Sequence, residues 1–211
     1  MEYVKAYSQP PRGPLLLGDG VTREGVSGEC RDAALAFLTG VASGWDKLDL
    51  VLWLTGPYAA ATRHVPRGER VAGLDEDAEV DDEVLVELVV NARHAILGAL
   101  EDASSDGGVL DFAEEHLDRG YVRRAVDEEG LEVWVPADAS RMRLADRVAS
   151  LFAADYLNDA SSYDDLFVCP KCTGVVFDEA SKRLGLCGAH KRSSGIVPRE
   201  DGSVPKVAGN D

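Results

Sequence analysis

The chain has 211 residues, 45% of them apolar, and a formal net charge of −16, a composition that suits a globular protein and excludes a disordered or collagen-like one. The most apolar stretch, residues 84–100, is interrupted by Glu87, Asn91, Arg93 and His94, so it falls short of the roughly 20 mostly apolar residues of a membrane span. Charge is spread unevenly: residues 1–165 hold 15 Lys/Arg against 33 Asp/Glu, and residues 166–211 hold 7 against 5, and so acidic a body repels a phosphate backbone.

The chain opens with Met1, Glu2, Tyr3, Val4 and Lys5 and soon reaches Pro10-Pro11, without the apolar run of an export signal, so a cytoplasmic location is expected. Residues 1–28, with three prolines and repeated glycines, read as an irregular arm that only Leu15-Leu16-Leu17 could anchor. An acidic, mainly helical domain is expected over residues 29–158. Its first helix spans about Glu29 to Leu38, with Ala33, Ala34, Phe37 and Leu38 at helical spacing and Gly40 as its stop. A second covers Leu48–Leu54, capped by Asp46 and broken by Gly56-Pro57, with Trp53 in the core.

The acidic run from Asp75 to Glu83 lacks the glycine and the final glutamate of an EF-hand loop and leads into a helix from about Asp82 to Asp102. Val84, Leu85, Leu88, Val89, Ala92, Ala95, Ile96, Ala99 and Leu100 give that helix so broad an apolar stripe that it is expected at the centre of the core. Val109–Arg119 reads as a further helix ended by Gly120. Tyr121–Val126 and Leu131–Val135 flank the turn Asp127-Glu128-Glu129-Gly130, a hairpin expected to set Val126 opposite Leu131 and Arg123 across from Trp134. A last helix runs from about Arg141 to Asn158, capped by Asp138 or Ser140, with Leu144, Val148, Leu151, Phe152 and Tyr156 on one face.

Three of the four cysteines fall within 19 residues, in a pattern that suits a metal better than disulfides. Cys169-Pro-Lys-Cys172 and Cys187-Gly-Ala-His190 are two knuckles of two ligands each, separated by 14 residues. Three thiolates and an imidazole fill a tetrahedral shell, the arrangement of a structural Zn2+ site, whereas a catalytic zinc keeps a position open; an iron centre is the competing reading. With Val175–Phe177 and Arg183–Leu186 read as two strands, residues 167–192 resemble a zinc ribbon whose usual glycine after the first knuckle is displaced by one, because Thr173 precedes Gly174; the ribbon domain is expected over 166–192. The expected fold class is thus α+β: a mainly helical body with a β-hairpin near 121–135, plus a C-terminal zinc ribbon and a flexible tail over 193–211.

The sequence leaves three classes of function open. A non-catalytic regulatory or adaptor protein working through protein-protein contacts suits the acidic surface and a basic partner, with Asp75–Glu83 as candidate contacts. Nucleic-acid binding is the alternative: the order helix, hairpin, helix from Val109 resembles a winged helix, and Lys171, Lys182, Arg183, Lys191 and Arg192 make the ribbon basic. Against it, the groove-entering helix would carry Asp111, Glu114, Glu115 and Asp118 with only Arg119. An enzyme would need Cys30, His64, His94 and His116 brought together from distant positions, and no G-x-S-x-G, Walker or G-x-G-x-x-G pattern is present. Cys30 beside Arg31 is a conceivable nucleophile, with a small buried hydrophobe as the plainer reading; His94 reads as a core or boundary residue and His116 as exposed.

Overall fold

Thr22 accepts a hydrogen bond from the Gly25 N–H at 3.1 Å and so starts α1 (Arg23–Ala42), six residues earlier than the spacing of apolar residues predicts. The computed structural model describes residues 14–64, 82–106, 108–137 and 142–193; the Asp75–Asp81 run, the caps Asp138 and Ser140, and the tail after 193 lie outside them. Within the expected arm Leu15–Leu16 form β1, which pairs in parallel with Ala125–Val126. Gly40 does not stop α1 but lies within it, because a Cβ there would meet the Trp45 ring at 1.9 Å. Its missing side chain admits the indole, which packs edge-on to Phe37.

Asp46 caps α2 (Lys47–Trp53) as expected, with reciprocal bonds between Asp46 and Asp49. Gly56-Pro57 does not break the helical path. The chain passes through a π-helical turn over Leu54–Tyr58 into α3 (Ala59–Ala61), a widened turn that accommodates the donor Pro57 lacks. Trp53 is core, as read: it is buried between Phe37 and Tyr58, and its Nε1–H donates to the Ala33 carbonyl at 2.8 Å.

Next come α4 (Asp82–Asp106), α5 (Gly108–Asp118) and the hairpin β2 (Val122–Val126) and β3 (Glu132–Pro136). Of the broad stripe on α4, Leu85, Val89, Ala92, Ile96 and Leu100 are buried, but Val84, Leu88 and Ala95 face outward, so this helix flanks the core. The hairpin register is one residue away from the expected one. Val126 lies opposite Glu132 and Trp134 opposite Arg124, because the loop holds five residues. Asp127 Oδ1 accepts from the Glu129 and Leu131 N–H groups, and Gly130 takes φ +80°. A one-residue slip changes which side chains share a face: Ala125, Val133 and Val135 form the core side, all fully buried, and Arg124 takes the place across from Trp134 expected for Arg123 while its guanidinium pairs with Glu132.

The central helix is α6 (Leu144–Asn158), which starts three residues later than read, where Asp146 accepts from the Arg143 N–H at 3.2 Å. Its face Val148, Leu151, Phe152, Ala153 and Ala154 is buried against α1, α4, α5 and the hairpin. At its end the Asn158 side-chain amide pairs with both backbone groups of Trp134, at 2.9 and 2.7 Å, as a neighbouring strand would. On the same apolar stripe sits Asp155, with no solvent exposure. Ser27 donates to it, the Arg31 guanidinium holds both oxygens at 2.8 and 3.0 Å, and Tyr163, in the 3-10 turn Ala160–Asp165, donates at 2.7 Å.

The C-terminal module departs from the ribbon topology. Val175–Phe177 is a strand, β5, but its partner is β4 (Leu166–Val168), before the first knuckle. Arg183 and Leu184, read as part of a strand, end α7 (Glu179–Leu184), which Asp178 caps through the Ser181 N–H at 2.8 Å and left-handed Gly185 closes. A six-residue helix α8 (Gly188–Ser193) follows. The architecture is α+β and mostly helical, with its second part a hairpin followed by two short helices.

Replacing Asp155 with Ala leaves Arg31 without the carboxylate that holds both its nitrogens. Breaking one side of such a buried pair costs about 3–5 kcal/mol, and urea denaturation of Asp155→Ala should show a loss of that size.

Candidate metal centre

The first knuckle grows directly out of β4. Cys169 is the residue after the strand; its N–H bonds to the Gly174 carbonyl at 2.9 Å and its carbonyl accepts from the Thr173 N–H at 2.7 Å, closing a tight loop around Cys172. Thr173 takes φ +54°, the left-handed conformation for which glycine is normally used, at a cost on the order of 1–2 kcal/mol for an L-residue. Its hydroxyl offsets part of that cost. Oγ1 donates to the Cys172 carbonyl at 2.6 Å and accepts from Arg93 Nη2 at 2.5 Å, while Arg93 Nε donates to the Leu38 carbonyl of α1 at 3.0 Å. The displaced glycine also has a use, since a Cβ on Gly174 would lie 3.2 Å from Cys172 Sγ.

The second knuckle is presented by the turn that ends α7 and by the first turn of α8. The Leu186 N–H bonds back to the Ser181 carbonyl at 3.3 Å, and Cys187 then starts a turn whose carbonyl accepts from His190 and Lys191 at 3.0 and 2.9 Å. This turn aims the His190 ring at the thiols. Nδ1 lies 3.2 Å from Cys187 Sγ and 3.5 Å from Cys169 Sγ, and Cys172 Sγ lies 3.7 Å from Cys187 Sγ. The four ligand atoms all fall within 4.8 Å of one another. The expected set Cys169, Cys172, Cys187 and His190 is thus brought together into a group that could hold a metal ion.

The electrostatics favour the thiolate at two of the three cysteines. Burial pushes the Cys169 thiol up, but the backbone N–H groups of Cys187, Lys171 and Cys172 outweigh it and hold it at about 6. The His190 backbone N–H lowers Cys187. Desolvation and the neighbouring Cys187 and Cys169 sulfurs raise Cys172, and bonds to the Cys187 and Cys169 sulfurs raise His190. Cys169 and Cys187 are buried, His190 is half-buried and Cys172 is exposed.

The residues considered for catalysis do not converge in this way. Cys30 has no solvent exposure, and burial together with the Asp155 and Glu29 carboxylates raises its thiol pKa, the opposite of an activated nucleophile. His64 lies 3.9 Å from Glu29 on α1. His94 is exposed on α4, where the core or boundary was expected. His116, expected on the surface, is buried: Nδ1 lies 2.8 Å from the Phe112 carbonyl, the ring packs on Phe112 and Tyr121, and Nε2 is buried without a partner. Sequence reasoning missed the Asp155 cluster, although Asp155 stands four residues after Leu151 and seven after Val148 on the apolar stripe, a placement that signals a buried carboxylate.

Two outcomes follow. The Cys172→Ser variant should bind metal far more weakly than the natural chain, by elemental analysis after dialysis against chelator, and should lose the thermal stability that the metal supplies. Burial lowers the His116 pKa from its ordinary 6.5 despite the opposing Phe112 contact, so the folded state holds the neutral ring. The stability this contributes is present above about pH 6.5 and is lost as pH falls below it, because the unfolded chain then takes up the proton more readily. In chemical denaturation, His116→Leu should flatten the fall in stability below that pH.

No protein-family model, no curated protein and no solved structure matches this chain.

Proposed function

We propose that the chain is a zinc-binding protein whose Cys3His site is structural, and that it acts as a non-catalytic adaptor or regulator by docking to a basic protein. The observation that carries the zinc assignment is the spacing of the ligand atoms. A tetrahedral ion with zinc–sulfur bonds of about 2.3 Å and zinc–nitrogen bonds of about 2.0–2.1 Å separates two sulfurs by about 3.8 Å and a sulfur from the nitrogen by about 3.5 Å. The 3.7 Å between Cys172 and Cys187 and the 3.5 Å between Cys169 and His190 fit those edges, and the 3.2 Å between Cys187 and His190 is about 0.3 Å shorter than its edge. The residues would fill all four positions, leaving none for substrate, so the chemistry such an ion supplies here is crosslinking, with three thiolates leaving the bound centre at net −1.

The size of the module supports a structural role. Residues 166–193 add Leu166, Val168, Cys169, Ser181 and Cys187 to the buried set, too little for so short a segment to fold on burial alone. A structural zinc supplies apparent binding energy on the order of 10–16 kcal/mol.

Docking to a basic protein is supported by charge. The net −18 of residues 1–165 favours encounter with a cationic surface. Nucleic acid is the weaker reading. On α5, in the groove-entering position of the winged-helix comparison, Glu114, Glu115 and Asp118 are exposed and Ala113 and His116 are buried. In the basic module, Lys182 donates to the Asp164 carbonyl at 2.7 Å and Lys191 pairs with Asp178 at 3.2 Å, so two of its cations already have acceptors in the chain itself. Among the described residues no helix is long and apolar enough to cross a membrane.

Elemental analysis of protein purified without added metal should give one zinc per chain and no visible absorption; iron with a coloured band would overturn the zinc assignment. Photo-crosslinking of the tagged chain in cells should yield a basic protein partner whose capture is lost at high salt and survives nuclease. Crosslinks to nucleic acid would instead favour the winged-helix alternative.

A further inference from the structure

Helix α4 carries two apolar stripes, and the core takes only one. Leu85, Val89, Ala92, Ile96 and Leu100 are buried. On another side of the helix Val84 is 57% and Leu88 42% exposed, and Asn91 and Ala95 continue the line outward. The offsets of four, seven and eleven residues keep these four positions within a narrow arc, and at 1.5 Å per residue the stripe is about 16 Å long. A helix that flanks a core normally turns polar side chains outward; here three of the four positions are apolar and only Asn91 is polar, and a face of about three turns is the length that a partner helix covers with anchors one turn apart.

We infer that this outer stripe of α4 is the docking site for a basic amphipathic helix of a partner protein. The inference rests on the docking role proposed above and gives it a place. Glu87 is exposed beside the stripe, one turn from both Val84 and Asn91, in a body of net −18, so a ligand with an apolar seam and flanking Lys or Arg is complementary in both respects. Charge also excludes the simplest competitor. A second copy would place the same acidic edge against itself in a two-fold contact, within a body of net −18.

The probe is a synthetic Leu/Lys peptide with leucines at helical spacing, compared by fluorescence anisotropy with a scrambled peptide of the same composition. The natural chain should bind the helical peptide about tenfold more tightly than the scrambled one, the loss expected when an anchor contact of this kind is missing. Leu88→Asp should abolish that preference while leaving thermal unfolding unchanged, and Ala95→Glu, on the same stripe, should do likewise. Equal affinity for the two peptides, or a preference that survives both variants, would overturn the α4 site while leaving docking through the acidic surface standing. Failure of either peptide to bind at low salt would overturn the docking role as well. A natural chain that sediments as a dimer and becomes monomeric in Leu88→Asp would replace the basic helix with a second copy.

Discussion

Asp155 is a carboxylate without solvent exposure, placed in the last turn of the most buried helix. Such a group is tolerated only when its charge is neutralised and its lone pairs are filled. Ser27 and Arg31 from α1 and Tyr163 from the turn after α6 meet both needs, and meeting them fixes how those elements sit. Arg31 must enter from α1, which holds α1 along α6. Tyr163 must fold back, which sets the course of the chain towards β4. Arg31 also lies over the Phe177 ring of β5 at 4.7 Å and bonds Asp159 at 3.1 Å, so one guanidinium links the body to the metal module. A purely apolar cluster would give comparable stability, but it would not require these particular partners in this arrangement.

The knuckles depend on that arrangement. Leu166 and Val168 of β4 are buried in the same core as α1 and α6, and Cys169 follows with no intervening residue, so the core positions the first ligand. The second pair is positioned by local chemistry: the Asp178 cap, the left-handed turn at Gly185 and the first turn of α8. Placement by core and by turn converges on four atoms within 4.8 Å. This preorganisation limits the ordering that a metal would have to impose.

What was legible in the sequence follows from the range of the interactions involved. The ligand set needs only spacing and ligand chemistry, and the Asp46 cap and buried Trp53 are local or strongly apolar signals. The ribbon topology failed because Val175–Phe177 could pair on either side, and its partner Leu166–Val168 lies before the first knuckle, while Asp178 and Gly185, which cap and close α7, are residues equally at home in a turn between two strands. The hairpin slipped by one residue because Asp127 Oδ1 organises a five-residue loop. Gly40 was read as a stop because a glycine needed for close approach and one needed for a turn look alike until Trp45 is in place. The Asp155 cluster joins residues 124 and 128 positions apart, beyond the reach of any local pattern.

The breadth of the apolar stripe on α4 was read correctly from the residues and interpreted wrongly. A stripe that wide has two physical causes: burial on most sides, or burial on one side with a second apolar face left outside. Periodicity cannot separate them, and only the exposure of Val84, Leu88 and Ala95 does. The second case has a mechanical consequence here. Halfway along α4, Arg93 grips the Leu38 carbonyl and Thr173 of the first knuckle, so the helix bearing the outer stripe is fastened to the metal loop. If that loop opened, Arg93 would lose one of two acceptors and Thr173 the contact that helps hold it in its left-handed conformation. The metal-ligand loop and the outer face of α4 are therefore joined through one side chain, so a crosslink at the loop would bear directly on the surface proposed for docking.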